Sequence, residues 1–136
     1  MSAERRYLLD TNAVSWFVRN PSVPLEARIS GMARCDFCVS AITEGELRYG
    51  LARRPRATAL ARAVEALLVR VDVLPWDASV ARRHGDLRAT LETAGTPLAA
   101  LDTLIAAHAL SAGAILVTHD QAFARVPDLT IEDWQV

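Results

Sequence analysis

Short apolar runs, each too brief for a helix, recur along this chain with helical stretches between them, and that alternation restricts the fold most. The runs are Tyr7-Leu8-Leu9, Phe37-Cys38-Val39-Ser40, Val71-Asp72-Val73-Leu74 and Ala114-Ile115-Leu116-Val117-Thr118, with Leu129-Thr130-Ile131 as a short fifth. Runs of this kind suit strands buried on both faces. Strands that alternate with helices pair in parallel, and the helices cover both sides of the sheet. The sequence therefore predicts an α/β fold with three layers, α/β/α, around a central parallel sheet of four to five strands.

The breaks between elements are as informative as the runs. Asn20-Pro21-Ser22-Val23-Pro24 reads as a turn, and Pro55, Pro75 and Gly95-Thr96-Pro97 each stop a helix or strand. Helices are expected from Ala13 onward and over 25–33, 42–53, 57–69, 78–94 and 101–112, the last closed by Gly113 as a left-handed cap. Asn12 is expected to cap the first of them. With no repeat, low-complexity tract or linker in 136 residues, the whole of 1–136 is expected to form a single domain.

Composition narrows the class. The chain is 51% hydrophobic and 23% charged, the balance of a globular protein rather than a disordered one. No apolar run approaches the roughly 20 residues that span a membrane. The start, Met1-Ser2-Ala3-Glu4-Arg5-Arg6, leads into only three apolar residues before Asp10, unlike a secretory leader. A cytoplasmic protein that does not engage membranes is expected. Cys35 and Cys38 form one C-x-x-C without the second pair of ligands that zinc needs, so both are expected to be reduced and structural. Net charge is −1, yet all 15 basic residues are Arg. Arginine suits bidentate phosphate contact and base stacking. If several acids are gathered in one pocket, the remaining surface is net positive, which leaves nucleic acid open as a partner.

The placement of acids carries the chemistry. Asp10 follows the first strand directly, and Asp120 lies just past the fourth, after Thr118-His119. In open α/β sheets ligands bind beyond the carboxyl ends of strands, where both would lie. In the helix that follows Gly95-Thr96-Pro97, the apolar stripe through Ile105, Ala106 and Ala109 leads back to Asp102, an acid in line with a buried face. The helix after the second strand carries Glu44 and Glu46, which point about 200° apart, so one of them alone can face the site. Glu46 shares a face with Thr43 and Gly50, and Glu44 with Leu47 and Arg48; spacing does not choose between them.

Each acid alone has an ordinary explanation as a cap or a first-turn residue. Gathered at one sheet edge they repel, and a divalent cation is the simplest compensation. Hard carboxylate oxygens select Mg²⁺ or Mn²⁺ over zinc. His84, His108 and His119 are not spaced as a ligand set; the first two are expected to be ordinary helix residues. A carboxylate-held cation without a phosphate-cradling loop points to phosphodiester hydrolysis. The chain has no G-x-x-x-x-G-K-[ST], no G-x-G-x-x-G and no G-x-S-x-G, which excludes nucleotide-cofactor and serine-hydrolase readings.

Leu8-Leu9-Asp10-Thr11-Asn12, Ser40-Ala41-Ile42-Thr43-x-x-Glu46-Leu47-x-x-Gly50, Asp102-x-x-Ile105-Ala106-Ala107-His108-Ala109 and Leu116-Val117-Thr118-His119-Asp120 together resemble PIN-domain ribonucleases. The similarity is closer still to the VapC toxins of bacterial toxin–antitoxin pairs, and the ending Phe123-x-Arg125-Val126-x-x-Leu129-x-x-Glu132-Asp133-Trp134 resembles that branch too. The resemblance implies a Mg²⁺- or Mn²⁺-dependent endoribonuclease with an acid quartet of Asp10, Glu46, Asp102 and Asp120. It favours Glu46 over Glu44. The position of Asp120 is often Asn in the family, which allows action through a water. Asn12 and Thr118 are implied as residues that orient the carboxylates. The family also implies a homodimer, an inhibitory cognate antitoxin, and structured RNA, most often tRNA, as substrate. Arg48, Arg53, Arg54 and Arg56, or Arg82, Arg83 and Arg88, are the candidates for RNA backbone contact. The competing expectation is a catalytically inactive PIN-like module that binds RNA or protein. Phosphoryl transfer through Asp10 as nucleophile would need a second acid two residues on, where the chain has Asn12.

Overall fold

The computed structural model describes residues 5–31 and 36–135. Five parallel strands, β1 (Tyr7–Leu9), β2 (Phe37–Ser40), β3 (Asp72–Leu74), β4 (Ile115–Val117) and β5 (Ile131–Glu132), form one sheet in the order β3-β2-β1-β4-β5. Helices α1 (Thr11–Arg19), α2 (Val23–Ser30), α3 (Ala41–Ala52), α4 (Thr58–Leu68), α5 (Ala78–Thr93) and α6 (Ala100–Ala112) connect them, with a 3-10 turn at Gln121–Arg125. The expected three-layer α/β/α arrangement is what forms. From β1 the chain steps outward through β2 to β3, then crosses back to the other side of β1 for β4. The switch point thus lies between β1 and β4, where a crevice opens at the carboxyl ends of the strands.

Side-chain alternation along the strands explains the two helical layers. Tyr7 and Leu9 face one side with Phe37 and Val39, and pack on Val14, Phe17, Val64 and Leu67 from α1 and α4. Leu8, Cys38 and Leu116 face the other, against Leu87 and Leu91 of α5 and Ile105, Ala106 and Ala109 of α6. Ala106, Ala107 and Ala109 are fully buried, and their small side chains let α6 lie close to the sheet. Gly113 ends α6 at φ 64°, the left-handed conformation that favours glycine. Trp134, beyond β5, packs on Tyr7, Phe17 and Phe37, and the Arg28 guanidinium sits 4.0 Å above its ring.

Several local expectations shift. The second helix begins at Val23 rather than Leu25, because Pro24 falls in its first turn, where no N–H is needed for helical bonding. The expected end of that helix at Ala33 lies outside the described residues, as does Cys35. Cys38 is a strand residue whose Sγ donates to the Tyr7 carbonyl at 3.4 Å, and burial pushes its thiol up to about 11. That is a structural cysteine, not a reactive one. The fifth strand is Ile131–Glu132, slightly beyond the expected run, since Leu116 and Val117 pair with Ile131 and Glu132. Asp10, rather than Asn12, caps α1.

Candidate active site

The crevice is built first from Asp10. The chain leaves β1 in an extended conformation, and the Asp10 side chain accepts from the Ala13 N–H at 2.7 Å. Its own N–H donates to the Val117 carbonyl at 3.1 Å, which pins it to the end of β4. An acid at the strand end satisfies the helix's exposed donors better than one two residues later. Asn12 is left exposed inside the first turn of α1. Asp10 is 5% exposed, so the cap is also a buried charge.

Its neighbours come from three other elements. Thr118, buried beyond β4, hydrogen-bonds to the Asp10 carboxylate and accepts from the Asp120 N–H at 3.0 Å. Asp120 itself caps the 3-10 turn, accepting from Ala122 N–H at 2.9 Å, and stays exposed. Asp102 sits half-buried in the first turn of α6, whose N-terminus meets the carboxyl edge of the sheet because α6 runs against β4. Glu46, one face of α3, accepts from the Thr11 hydroxyl at 2.7 Å. Thr11 has a single proton, given to that carboxylate, and its oxygen lies 3.1 Å from the Thr43 hydroxyl. Glu44 turns to Arg48 instead.

The electrostatics tie the four acids together. Burial raises the Asp10 carboxyl above the usual range; the Thr118 and Ala13 hydrogen bonds oppose that, and the charges of Asp102 and Asp120 add to it. Asp102 is raised by burial too, then by Asp120 and Glu46. Among the described residues no Arg or His forms an ion pair with any of the four. His119, adjacent in sequence, is instead 2.8 Å from Asp133. This is an all-oxygen donor set with uncompensated charge, the chemistry that suits Mg²⁺ or Mn²⁺ and not zinc. Among the described residues no three acids stand close enough to ligate one ion as they are. Glu46 and Asp102 are half-buried and Asp120 is exposed, so these three side chains have room to turn.

Two supports escaped the sequence reading. Thr11, one residue of the Leu8–Asn12 motif, holds Glu46 across 35 residues; a hydroxyl in the first turn after a strand-end acid is the one local signal for it. His108 is buried, with Nδ1 2.7 Å from Ser40 Oγ. Burial pushes its imidazole below the usual range, which disfavours the charged ring. Ser40 in turn accepts from Ile42 N–H at 3.0 Å and caps α3, the helix that carries Glu46.

Known proteins resemble this chain in sequence and in fold. The model of the PIN domain matches residues 7–129. A tRNA(fMet)-specific endonuclease VapC of Shigella flexneri is 34% identical over 95% of this chain and 98% of its own length. Ribonuclease VapC1 of Haemophilus influenzae is 35% identical over 94% of this chain and 97% of its own. In a crystal structure of DNA-bound VapBC from Salmonella typhimurium, one chain superposes with a TM-score of 0.88 at 34% identity, covering 96% of this chain and 98% of that one.

Proposed function

The chain belongs to the PIN-domain family and is a ribonuclease of the VapC kind, and from that premise we propose that it is a Mg²⁺- or Mn²⁺-dependent toxin that cleaves structured RNA, tRNA foremost. The observation that carries the metal-dependent reading is the gathering of acids at the carboxyl ends of β1 and β4: Asp102 and Asp120 act on Asp10, Asp120 and Glu46 act on Asp102, and among the described residues no Arg or His forms an ion pair with any of the four. We assign Asp10, Glu46, Asp102 and Asp120 to hold the ion, with Thr118 and Asn12 orienting the carboxylates around it. Such an ion supplies Lewis acidity toward water and toward the phosphodiester oxygens.

The residues of the chain do the rest. Asp10 is fixed by the Ala13 N–H and the Thr118 hydroxyl, so its carboxylate needs little reorganisation on loading. Thr11 keeps Glu46 on the crevice side of α3. Asp102 and Asp120 bring the further negative charge that acts on Asp10. The solved VapBC complexes support an antitoxin as the partner that restrains the activity. A homodimer acting in the cytoplasm completes the proposal; among the described residues no helix is long and apolar enough to cross a membrane.

The test is direct. Purified protein incubated with tRNA should cut it with Mg²⁺ or Mn²⁺ and not in excess EDTA, and Asp10→Asn should be inert while still folding. Cleavage that persists in EDTA, or in the Asp10→Asn protein, overturns the assignment.

A further inference from the structure

A cavity of about 290 Å³ runs between α1 and α3, with Thr11 and Glu46 among its lining residues and Arg19, Tyr49, Arg53 and Arg54 beyond them. Glu46, Tyr49 and Gly50 stand at i, i+3 and i+4 on α3, and its C-cap residue Arg53, still helical in backbone, follows at i+7 on the same face. The groove therefore starts at a proposed metal ligand and leads about 10 Å along the helix to an aromatic ring and a cation.

Three features make this more than an exposed ring. Tyr49 is 63% exposed, and the Arg53 guanidinium lies 5.6 Å from its centroid, leaving the other face of the ring uncovered by that group. Arg19, Arg53 and Arg54 have no acid partner among the described residues, whereas Arg48 on the same helix is committed to Glu44 and Glu65. Gly50 lines the groove, and a Cβ placed there would meet nothing within 4 Å. Gly50 lies in the last turn of α3, no packing contact requires it, and its absent side chain keeps the groove open.

We propose that Tyr49 and Arg53, with Arg19 and Arg54 as backbone contacts, form a stacking subsite for a base flanking the phosphodiester that is cut. The inference rests on the ribonuclease reading and adds where an unpaired stretch of the RNA lies. An aromatic face beside cations is the usual way to hold single-stranded nucleic acid without reading its sequence. The unpartnered positive charge and the continuity with Glu46 favour RNA over a protein segment as the occupant.

The test uses a short single-stranded RNA carrying 2-aminopurine. Titrated in EDTA, where nothing is cleaved, its fluorescence should be quenched on binding. Tyr49→Ala should abolish the quench and raise the KM for RNA cleavage in Mg²⁺ by about tenfold, and Tyr49→Phe should restore both. With kcat unchanged within about twofold, the loss is one of binding rather than chemistry. Gly50→Leu should fill the groove and weaken binding without removing any charge or ring. Arg53→Ala should lower the salt dependence of binding by about one unit of slope. Unchanged quenching and KM in both Tyr49→Ala and Gly50→Leu overturn the subsite and leave the groove to a protein partner. Quenching reads the subsite and cleavage reads the nuclease, so the two proposals fail separately.

Discussion

Asp10 and Glu65 are both carboxyls of this chain, yet their surroundings are opposite. Glu65 lies on the surface of α4 and is met by Arg48, whose hydrogen bond holds it below the usual carboxylate range. Glu26, Glu44, Glu92, Glu132 and Asp72 are likewise paired with arginines. Asp10 is buried beside Asp102 and Asp120 and is pushed up. Arginines answer six acids outside the crevice; inside it, among the described residues, no arginine answers any of the four. Burying repelling charges costs stability, so the crevice is a place where the fold is poised for something that arrives from solution.

The largest effect that would break this contrast is on cleavage itself. Asp102→Asn should reduce single-turnover RNA cleavage by more than about a thousandfold, roughly 4 kcal/mol of barrier. The same substitution removes a repelling charge, so the melting temperature should hold or rise. The pH dependence follows the same signs. Asp10 and Asp102 have raised folded-state values, so they favour the folded state below the ordinary carboxyl range and lose that contribution as pH rises through their raised values. Glu65 behaves oppositely, its contribution being present above the ordinary range and lost as pH falls. Thermal melts between about pH 4 and pH 7 should show a smaller alkaline loss in Asp102→Asn than in the native chain. A melting temperature that drops sharply in the variant would show that Asp102 is structural.

A counter-ion should abolish the contrast from the other side. With Mg²⁺ at a hundred times its Kd, the folded state gains about 2.7 kcal/mol, a rise on the order of 8 °C in Tm for a chain of this size. In Asp10→Asn the rise should shrink. Equal shifts in the two proteins would place the cation elsewhere.

Smaller is the effect of loosening one acid. Thr11→Val removes a charge-assisted hydrogen bond to Glu46 and should cost about tenfold in kcat/KM, near 1.5 kcal/mol, with Thr11→Ser restoring it. Steady-state kinetics with RNA checks both, and an unaffected Thr11→Val would mean that Glu46 needs no holding.

Thr11 also marks where the sequence stops being legible. The strands and the parallel sheet could be read because buried runs and helix breakers are local signals. Asp10, Asp102 and Asp120 could be read because a strand end or a helix's apolar stripe pointed at them. Contacts between distant segments leave no such trace: Thr11 reaches Glu46 over 35 residues, and His108 reaches Ser40 over 68. Periodicity made His108 an ordinary helix residue, since burial on a helix face looks the same whether or not the ring finds a partner. The cap of α1 falls two residues before Asn12 because Asn and Asp compete for that role, and a strand-end acid already has the extended backbone that a cap requires. The 3-10 turn after Asp120 went unforeseen; Gln121-Ala122-Phe123-Ala124-Arg125 has no long apolar period, and the turn is set by the Asp120 side chain.

The two glutamates of α3 give the finest version of the contrast, since they share a helix and differ in what answers them. Glu44 bonds Arg48 at 3.3 Å, an i,i+4 pair on the surface, and Arg48 keeps Glu65 if Glu44 is neutralised. Glu44→Gln should therefore cleave RNA at the native rate and shift the melting temperature little. Glu46 faces the crevice and adds to the repulsion on Asp102, so Glu46→Gln should lose most of the cleavage and much of the Mg²⁺-induced stabilisation. Measuring both variants side by side separates charge on the helix from charge in the crevice. If Glu44→Gln were the inert one, the distinction between answered and unanswered acids would not track function, and the assignment of Glu46 would fall with it.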